Sequence, residues 1–320
     1  MRSILDVILI AAAASLTIVT AAVAQDYPSK PISIVVPFPA GGNTDAAIRL
    51  LTPSLAEQLG QKFVVENKPG AGTLIGAMAV ATAAPDGYTL LTSGASTNIA
   101  PLFNTSTPFK PEDLTFLALT YQTPYVLLVR PDFPAKTMAE FLAYAKENPN
   151  SIKWATQGYG SLQHIVSERF FRAADVKVKL VPYTGSAPAA VDVIAGHVDA
   201  TMDSGGAIMD YVRSGKMRAL AITNEARVPQ LPDLPTFKET GVDIAPQAWV
   251  GVFAPRGTPA DVLDKLNKAI NVAIDSKAFQ NWVTTAGGNI KKISAAEAQA
   301  MFEHERVLAQ ETVKLLPPKE

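Results

Sequence analysis

Val35-Val36-Pro37-Phe38-Pro39-Ala40-Gly41-Gly42-Asn43-Thr44-Asp45 joins two hydrophobic patterns of different period. Ahead of the prolines stand the apolar, mostly β-branched Ile32, Ile34, Val35 and Val36; beyond the glycines, apolar residues return at helical spacing as Ile48, Leu51, Leu55 and Leu59. The order is strand, glycine turn, helix. The first N–H groups of a helix have no partner within it, and the helix dipole adds partial positive charge there. Such a turn can hold an anion without any basic side chain. Taken alone, however, the stretch requires no more than a tight turn.

Toward the N-terminus, residues 1–24 carry Arg2, an apolar run from Val7 to Val23, and the small-x-small site Ala22-Val23-Ala24. This reads as a secretory signal peptide cleaved after Ala24. An uncleaved anchor is the rival, because the run approaches the length of a short spanning helix. The alanine-rich composition and the cleavage site favour removal, which leaves 296 of 320 residues, enough for two lobes. Charge is nearly balanced, with 28 basic and 29 acidic residues and no basic block, which argues against nucleic acid as a partner. The absence of cysteine excludes disulfides, thiolate metal sites, cysteine nucleophiles and a lipid anchor on an N-terminal cysteine. The expectation is a freely diffusing, monomeric protein of the bacterial periplasm or exterior.

Toward the C-terminus the strand–loop–helix unit repeats. Pro53 is expected to kink or restart the first helix, and Gly60 to end it. Lys62 to Glu66, with Phe63, Val64 and Val65, make a short strand, followed by Gly70-Ala71-Gly72-Thr73-Leu74-Ile75-Gly76 and an alanine-rich helix. The glycines imitate a dinucleotide fingerprint, but Ile75 stands where the third glycine belongs and no acidic residue follows at the usual distance. No cofactor is expected. Tyr88 to Thr92 form a strand that delivers Ser93-Gly94-Ala95-Ser96-Thr97-Asn98 as a third hydroxyl-rich loop at one sheet edge, although serine and threonine also simply cap helices.

An apolar strand, Tyr125 to Val129, leads into a second lobe. There Thr137 and Glu140 form a capping box, and the strand from Ile152 to Thr156 ends in Gln157-Gly158-Tyr159-Gly160-Ser161-Leu162-Gln163-His164. Ser161 would cap the helix that follows, a counterpart of the opening stretch. A strand from Val176 to Pro182, the turn Tyr183-Thr184-Gly185-Ser186, a helix closed by Gly196, and a strand delivering Asp203 and Ser204 come next. Arg218 to Thr223 is the lobe's last strand. After a proline-rich return, Trp249 to Ala254 rejoins the first lobe, Thr258 is placed to cap a helix beginning at Pro259, and Ser294 with Glu297 opens the last helix. Alternating strands and helices imply an α/β fold with a largely parallel sheet in each lobe. The lobes are expected to comprise residues 25–126 plus 247–320, and 127–246, with a cleft between them.

Candidates for catalysis are few. Ser161 with His164 and an acid such as Asp203 would serve a secreted hydrolase, but no G-x-S-x-G elbow surrounds any serine, and a serine that caps a helix is poorly placed to be activated by a histidine of the same turn. His164 and Glu168 have metal-ligand spacing without a third ligand, and His197 and His304 read as helix-end surface residues. What remains is a set of backbone and hydroxyl donors without basic side chains, which suits a carboxylate. Asp203 would accept from a group on that ligand, or orient the loops.

Several segments, in this order, resemble the tripartite tricarboxylate transporter solute-binding proteins, the Bug family of the periplasm. They include Tyr27-Pro28-Ser29-Lys30-Pro31-Ile32, Pro37 to Asp45, Val65-Glu66-Asn67-Lys68-Pro69-Gly70-Ala71-Gly72, Pro85-Asp86-Gly87-Tyr88-Thr89, Gly160-Ser161 with His164, Pro182-Tyr183-Thr184-Gly185, Gly215 to Ala221 and Ala254-Pro255-Arg256-Gly257-Thr258-Pro259. The resemblance spans nearly the whole chain after the leader. It implies a periplasmic-binding-protein-like fold, or Venus flytrap, with no catalysis, and a small carboxylate held largely by main-chain amides and ordered water. It also implies delivery to a membrane permease of a large and a small subunit. The family's binding positions fall on Phe38, Ala40, Gly41, Gly42 and Asp45; on Ser93 and Thr97; on Gly158, Gly160, Ser161 and His164; and on Tyr183, Thr184 and Asp203. Thr184 stands where a lysine is common, and Gln157-Gly158-Tyr159 where small residues are common. The guest, whether citrate-like, dicarboxylate, aromatic or amino acid, stays open.

Overall fold

The apolar run opening the chain becomes β1 (Ile32–Val36), with Ile32, Ile34, Val35 and Val36 buried. A strand apolar on both faces belongs inside a sheet covered on both sides. The computed structural model describes residues 27–104, 106–158, 161–244 and 246–314; the expected leader and its cleavage site lie outside them, as do Tyr159 and Gly160. No helix among the described residues is long and apolar enough to cross a membrane.

The helix α1 (Asn43–Leu59) buries Ala47, Ile48, Leu51, Leu55 and Leu59 and ends at Gly60, whose φ of 67° is left-handed. Of the kink or restart expected at Pro53, the restart does not occur, and the helix is continuous through it. Proline lacks the N–H that would bond the carbonyl of Arg49, and Thr52 Oγ1 donates to that carbonyl instead at 3.0 Å, while Pro53 itself lies on the exposed face. β2 (Phe63–Asn67) pairs parallel to β1. A 3-10 turn (Ala71–Thr73) leads into α2 (Leu74–Ala81). β3 (Thr89–Gly94), parallel to β1 on its other side, runs two residues beyond the expected Thr92, so Ser93 lies in the strand; α3 (Ser96–Phe103) follows.

β4 (Leu114–Val129) is the long strand that joins the two lobes. Its first part, Leu114 to Pro124, pairs antiparallel with β9 (Gln247–Pro255), and its second part, Tyr125 to Val129, with strands of the second lobe. That lobe contains α4 (Met138–Glu147), β5 (Lys153–Thr156), α5 (Leu162–Ala174), β6 (Lys179–Pro182), α6 (Ser186–Ala195), β7 (Ala200–Ser204), α7 (Gly206–Arg213) and β8 (Arg218–Ile222). The order across the sheet is β2-β1-β3-β9-β4-β7-β5-β6, with β8 also on β4. Strands linked by crossover helices (β1, β2 and β3; β5, β6 and β7) are parallel, while the crossing strands β4 and β9 pair antiparallel. α8 (Ala260–Ala273), α9 (Lys277–Thr285) and α10 (Ala295–Lys314) return to the first lobe.

Each lobe buries apolar clusters on both sheet faces: Ile34, Leu51, Leu266 and Phe279 on one face of the first, Phe116, Trp249, Phe253 and Phe302 on the other, and Phe141, Trp154, Phe170 and Phe237 in the second. Caps follow the sequence at Thr137, which accepts from Glu140 N–H at 3.2 Å, and at Ser294, which accepts from Glu297 N–H at 3.2 Å. Two local readings are corrected. Thr258 does not cap α8, because its hydroxyl donates to the Pro255 carbonyl at 2.8 Å and Pro259 takes the cap position. The strand expected from Val176 begins only at Lys179, because the Val176 N–H closes the end of α5 on the Phe171 carbonyl beside Asp175, at φ 51°.

Candidate ligand-binding cleft

A cleft of about 800 Å³ opens between the lobes. The first lobe contributes Phe38 and Thr44 around the start of α1, the loop Gly70 to Thr73, and Gly94 to Ser96 at the start of α3; the second contributes Gln157, Gly158 and Ser161 to Gln163 at the start of α5. Tyr125 of β4 and Trp249 and Val250 of β9 complete the wall. Among the described residues, none that lines the cleft carries a charge. A separate groove of about 620 Å³ runs beside β8, on Met217 to Leu220 and Gln230 to Pro235, away from these helix starts.

At the start of α1, Gly41 has φ 83°, a left-handed value that a side chain resists, whereas Gly42 has the ordinary extended values φ −73° and ψ 168°. The buried Asp45 fixes this turn from behind. Its carboxylate accepts from the Gly41 N–H at 2.9 Å, Asn67 Nδ2 at 3.0 Å and Arg49 Nε at 3.0 Å. The hydrogen bonds from Arg49 lead the causes that lower its pKa to about 2. Asn67 also donates to the Phe38 carbonyl at 3.1 Å, tying the loop to β2. Phe38 lines the cleft, while Ala40, Gly41, Gly42 and Asp45 form the turn behind it. Ser93 and Thr97 are buried, with Thr97 Oγ1 donating to Ser93 Oγ at 2.9 Å; their neighbours Gly94, Ala95 and Ser96 line the cleft instead.

At the start of α5, Ser161 is the cap, and its Oγ accepts the backbone N–H of His164 at 3.1 Å. Gly158, at φ 112°, lies where a Cβ would come 3.2 Å from the Tyr183 carbonyl, so the loop passes close to the end of β6. Gly158 and Ser161 line the cleft; Gly160 lies outside the described residues. The His164 side chain is fully buried, 3.7 Å from Glu168, and burial lowers its pKa. Tyr183 donates to Asp192 of its own lobe at 2.7 Å, its pKa pushed up to about 12 chiefly by burial, and Thr184 is exposed outside the cleft wall. Asp203 is buried behind Gln157: it accepts from Gln157 Nε2 at 2.8 Å, from Ser204 N–H at 2.8 Å and from Ser186 Oγ. Burial pushes its pKa up to about 6 against those bonds.

Several wall residues escaped the sequence reading. Gln163 is the hub of the α5 turn: its Oε1 accepts from the Gln157 N–H at 3.1 Å and its Nε2 donates to the Ala155 carbonyl at 3.3 Å. Tyr125 and Trp249 read as ordinary strand residues, and Thr73 sat inside a glycine pattern dismissed as a broken cofactor motif. Among the described residues no cluster of acidic and histidine side chains is arranged for a metal.

Two α/β lobes joined by crossing strands, with an uncharged cleft walled by helix starts, define a solute-binding protein of the periplasmic-binding class. The model for the tripartite tricarboxylate transporter family receptor, TctC, matches residues 47–314. BugT of Bordetella pertussis is 38% identical over 259 residues, covering 80% of this chain and 79% of BugT. The chain belongs to this Bug/TctC family of periplasmic receptors, which bind solutes and are not enzymes. Among solved structures, a periplasmic transporter is 36% identical with a TM-score of 0.80, covering 90% of this chain and 97% of its own. MatC of Rhodopseudomonas palustris, with malate bound, is 32% identical with a TM-score of 0.76, at 90% and 100% coverage. A second R. palustris protein, with adipate, is 30% identical with a TM-score of 0.77, at 90% and 98% coverage.

Proposed function

We propose that this receptor captures a small carboxylate between its lobes and, on closing, presents it to a membrane permease of the tripartite tricarboxylate type. The observation that carries this reading is the cleft wall: helix starts from both lobes and hydroxyl or amide side chains, with no basic residue. Hydrogen bonds from such donors to a charged group contribute roughly 1.5 to 3 kcal/mol each. Relatives seen with malate and with adipate support an acid of that size. The lobes are taken as residues 25–126 plus 247–320, and 127–246, hinged at β4 and β9, since hinge closure is the common response of two-lobed binding proteins. The mature protein, cut after Ala24, works as a monomer in the periplasm. The binding roles carried over to Phe38, Gly158 and Ser161 are direct, while Asp45 and Asp203 hold the loops.

Thermal unfolding with malate, adipate, citrate, benzoate and glutamate tests the reading. A ligand at about 100 times its Kd stabilises the folded state by about 2.7 kcal/mol. At least one acid should raise the midpoint and be recovered unchanged; no shift with any of them would overturn the carboxylate assignment.

A further inference from the structure

Gln157 comes directly after β5, lines the cleft and is half-buried. Its Nε2 donates to Asp203 Oδ1 at 2.8 Å, and the same oxygen accepts the Ser204 N–H at 2.8 Å. Above about pH 6 the Asp203 carboxyl is ionised and can only accept, so the amide nitrogen must be the branch turned back to it. The amide oxygen is then left on the opposite branch of a planar group, and among the described residues it accepts no hydrogen bond.

The other carboxamides along the cleft are spent differently. Gln163 Oε1 accepts the Gln157 N–H at 3.1 Å, and Asn104 Oδ1 accepts from Ser106 Oγ at 2.8 Å. The Ser161 hydroxyl oxygen likewise accepts the His164 N–H at 3.1 Å. Gln157 Oε1 thus stands as a fixed, unspent acceptor in a wall otherwise suited to an anion. A hydrogen bond from Nε2 to a carboxylate polarises the amide and strengthens its oxygen as an acceptor. A bare carboxylate cannot answer it, because its oxygens only accept, and enclosing the amide oxygen without a donor costs the desolvation of that oxygen.

We infer that Gln157 is a specificity-determining acceptor: its Oε1 takes a hydrogen bond from a hydroxyl or ammonium group on the carbon beside the guest's carboxylate. Gln157 and the Ser161 cap belong to one loop, so a carboxylate at the start of α5 brings its neighbouring carbon toward the amide. The inference rests on the carboxylate reading above and deepens it from any small acid to a 2-hydroxy or 2-amino acid, whatever its chain length. A site built to bond such a group rejects the analogue that lacks it, since its own polar atom is then left unpaired.

Titration calorimetry at about pH 7.5 with two series tests this: succinate, L-malate and L-aspartate, and adipate with its 2-hydroxy and 2-amino derivatives. The wild type should bind a substituted acid at least about tenfold more tightly than the parent of the same series. A preference in the hydroxy arm assigns an O–H donor, and one in the amino arm an ammonium. In Gln157→Met, which keeps the length of the side chain and removes the acceptor, that preference should fall below about threefold, while the parent acid changes by less than about threefold. Unliganded unfolding midpoints establish that the variant folds, and Gln157→Leu replaces it if it does not. The wild-type comparison stands without either variant: equal affinity for parent and substituted acids overturns this inference and leaves the carboxylate reading standing. A preference that persists in the variant overturns the assignment to Gln157. Failure of the wild type to bind any of these acids overturns both readings.

Discussion

The turns that begin α1 and α5 face the same cleft from opposite lobes but are fixed by opposite means. The α1 turn is held by a charge: Asp45, paired with Arg49 and Asn67, grips the Gly41 N–H from behind. The α5 turn is held by neutral groups, Ser161 as cap and Gln163 as brace, with the buried Asp203 steadying Gln157. One lobe thus keeps a strongly ionised carboxylate behind its turn, and the other a carboxylate that burial disfavours ionising. Neither charge lines the cleft, so neither sets a carboxylate among the helix starts at the wall.

The largest way to break this contrast is Asp45→Ala. It removes the shared acceptor of Gly41, Arg49 and Asn67, and should cost about 3 kcal/mol in denaturant titration while abolishing ligand stabilisation. Next comes pH. The folded pKa of Asp203 is raised to about 6 from 3.8, so its contribution to stability is complete below about pH 4 and is lost as pH rises through 6, a change of about 2 kcal/mol. Asp45 runs the other way, its contribution being lost as pH falls from 3.8 through about 2. Unfolding midpoints of wild type and Asp203→Asn between pH 4 and 7 separate the two: the variant should lack the decline seen in the wild type. A parallel decline in both would mean that Asp203 is not its source.

Smaller effects sharpen the same contrast. Gly41→Ala forces a side chain into φ 83° and should cost about 1 to 2 kcal/mol, whereas Gly42→Ala, at ordinary dihedrals and with a Cβ 3.5 Å from the Pro39 carbonyl, should be close to neutral for the unliganded fold. Equal costs at both positions would refute the turn geometry. Smallest is Ser161→Ala, about 1 kcal/mol for the lost cap, read by denaturant midpoint, together with weaker ligand binding.

Local features were legible in the sequence because their causes are local. The strand–turn–helix period around Gly41, the left-handed stop at Gly60, and the caps at Thr137, Ser161 and Ser294 depend only on near neighbours. The direction a residue faces is settled by distant contacts. Ser93 and Thr97 looked like loop hydroxyls, but β3 runs on past Ser93 and buries it, and the first turn of α3 buries Thr97. For Asp203 the sequence left open a ligand partner or a residue that orients the loops, and only the distant Gln157 and Ser186 show what it bonds, behind the wall. Pairing across the crossing strands was also invisible, because alternation of strands and helices records the crossovers and not the returns at β4 and β9.

The central claim is that a carboxylate is held here by uncharged donors, and calorimetric titration of the purified protein with malate and adipate, at low salt and at about 0.5 M salt, addresses it directly. Saturable binding of at least one acid, with an affinity that changes by less than about threefold between the two conditions, is the expected result. Absence of binding, or an order-of-magnitude loss of affinity in high salt that betrays an exposed basic side chain at the ligand, would contradict it.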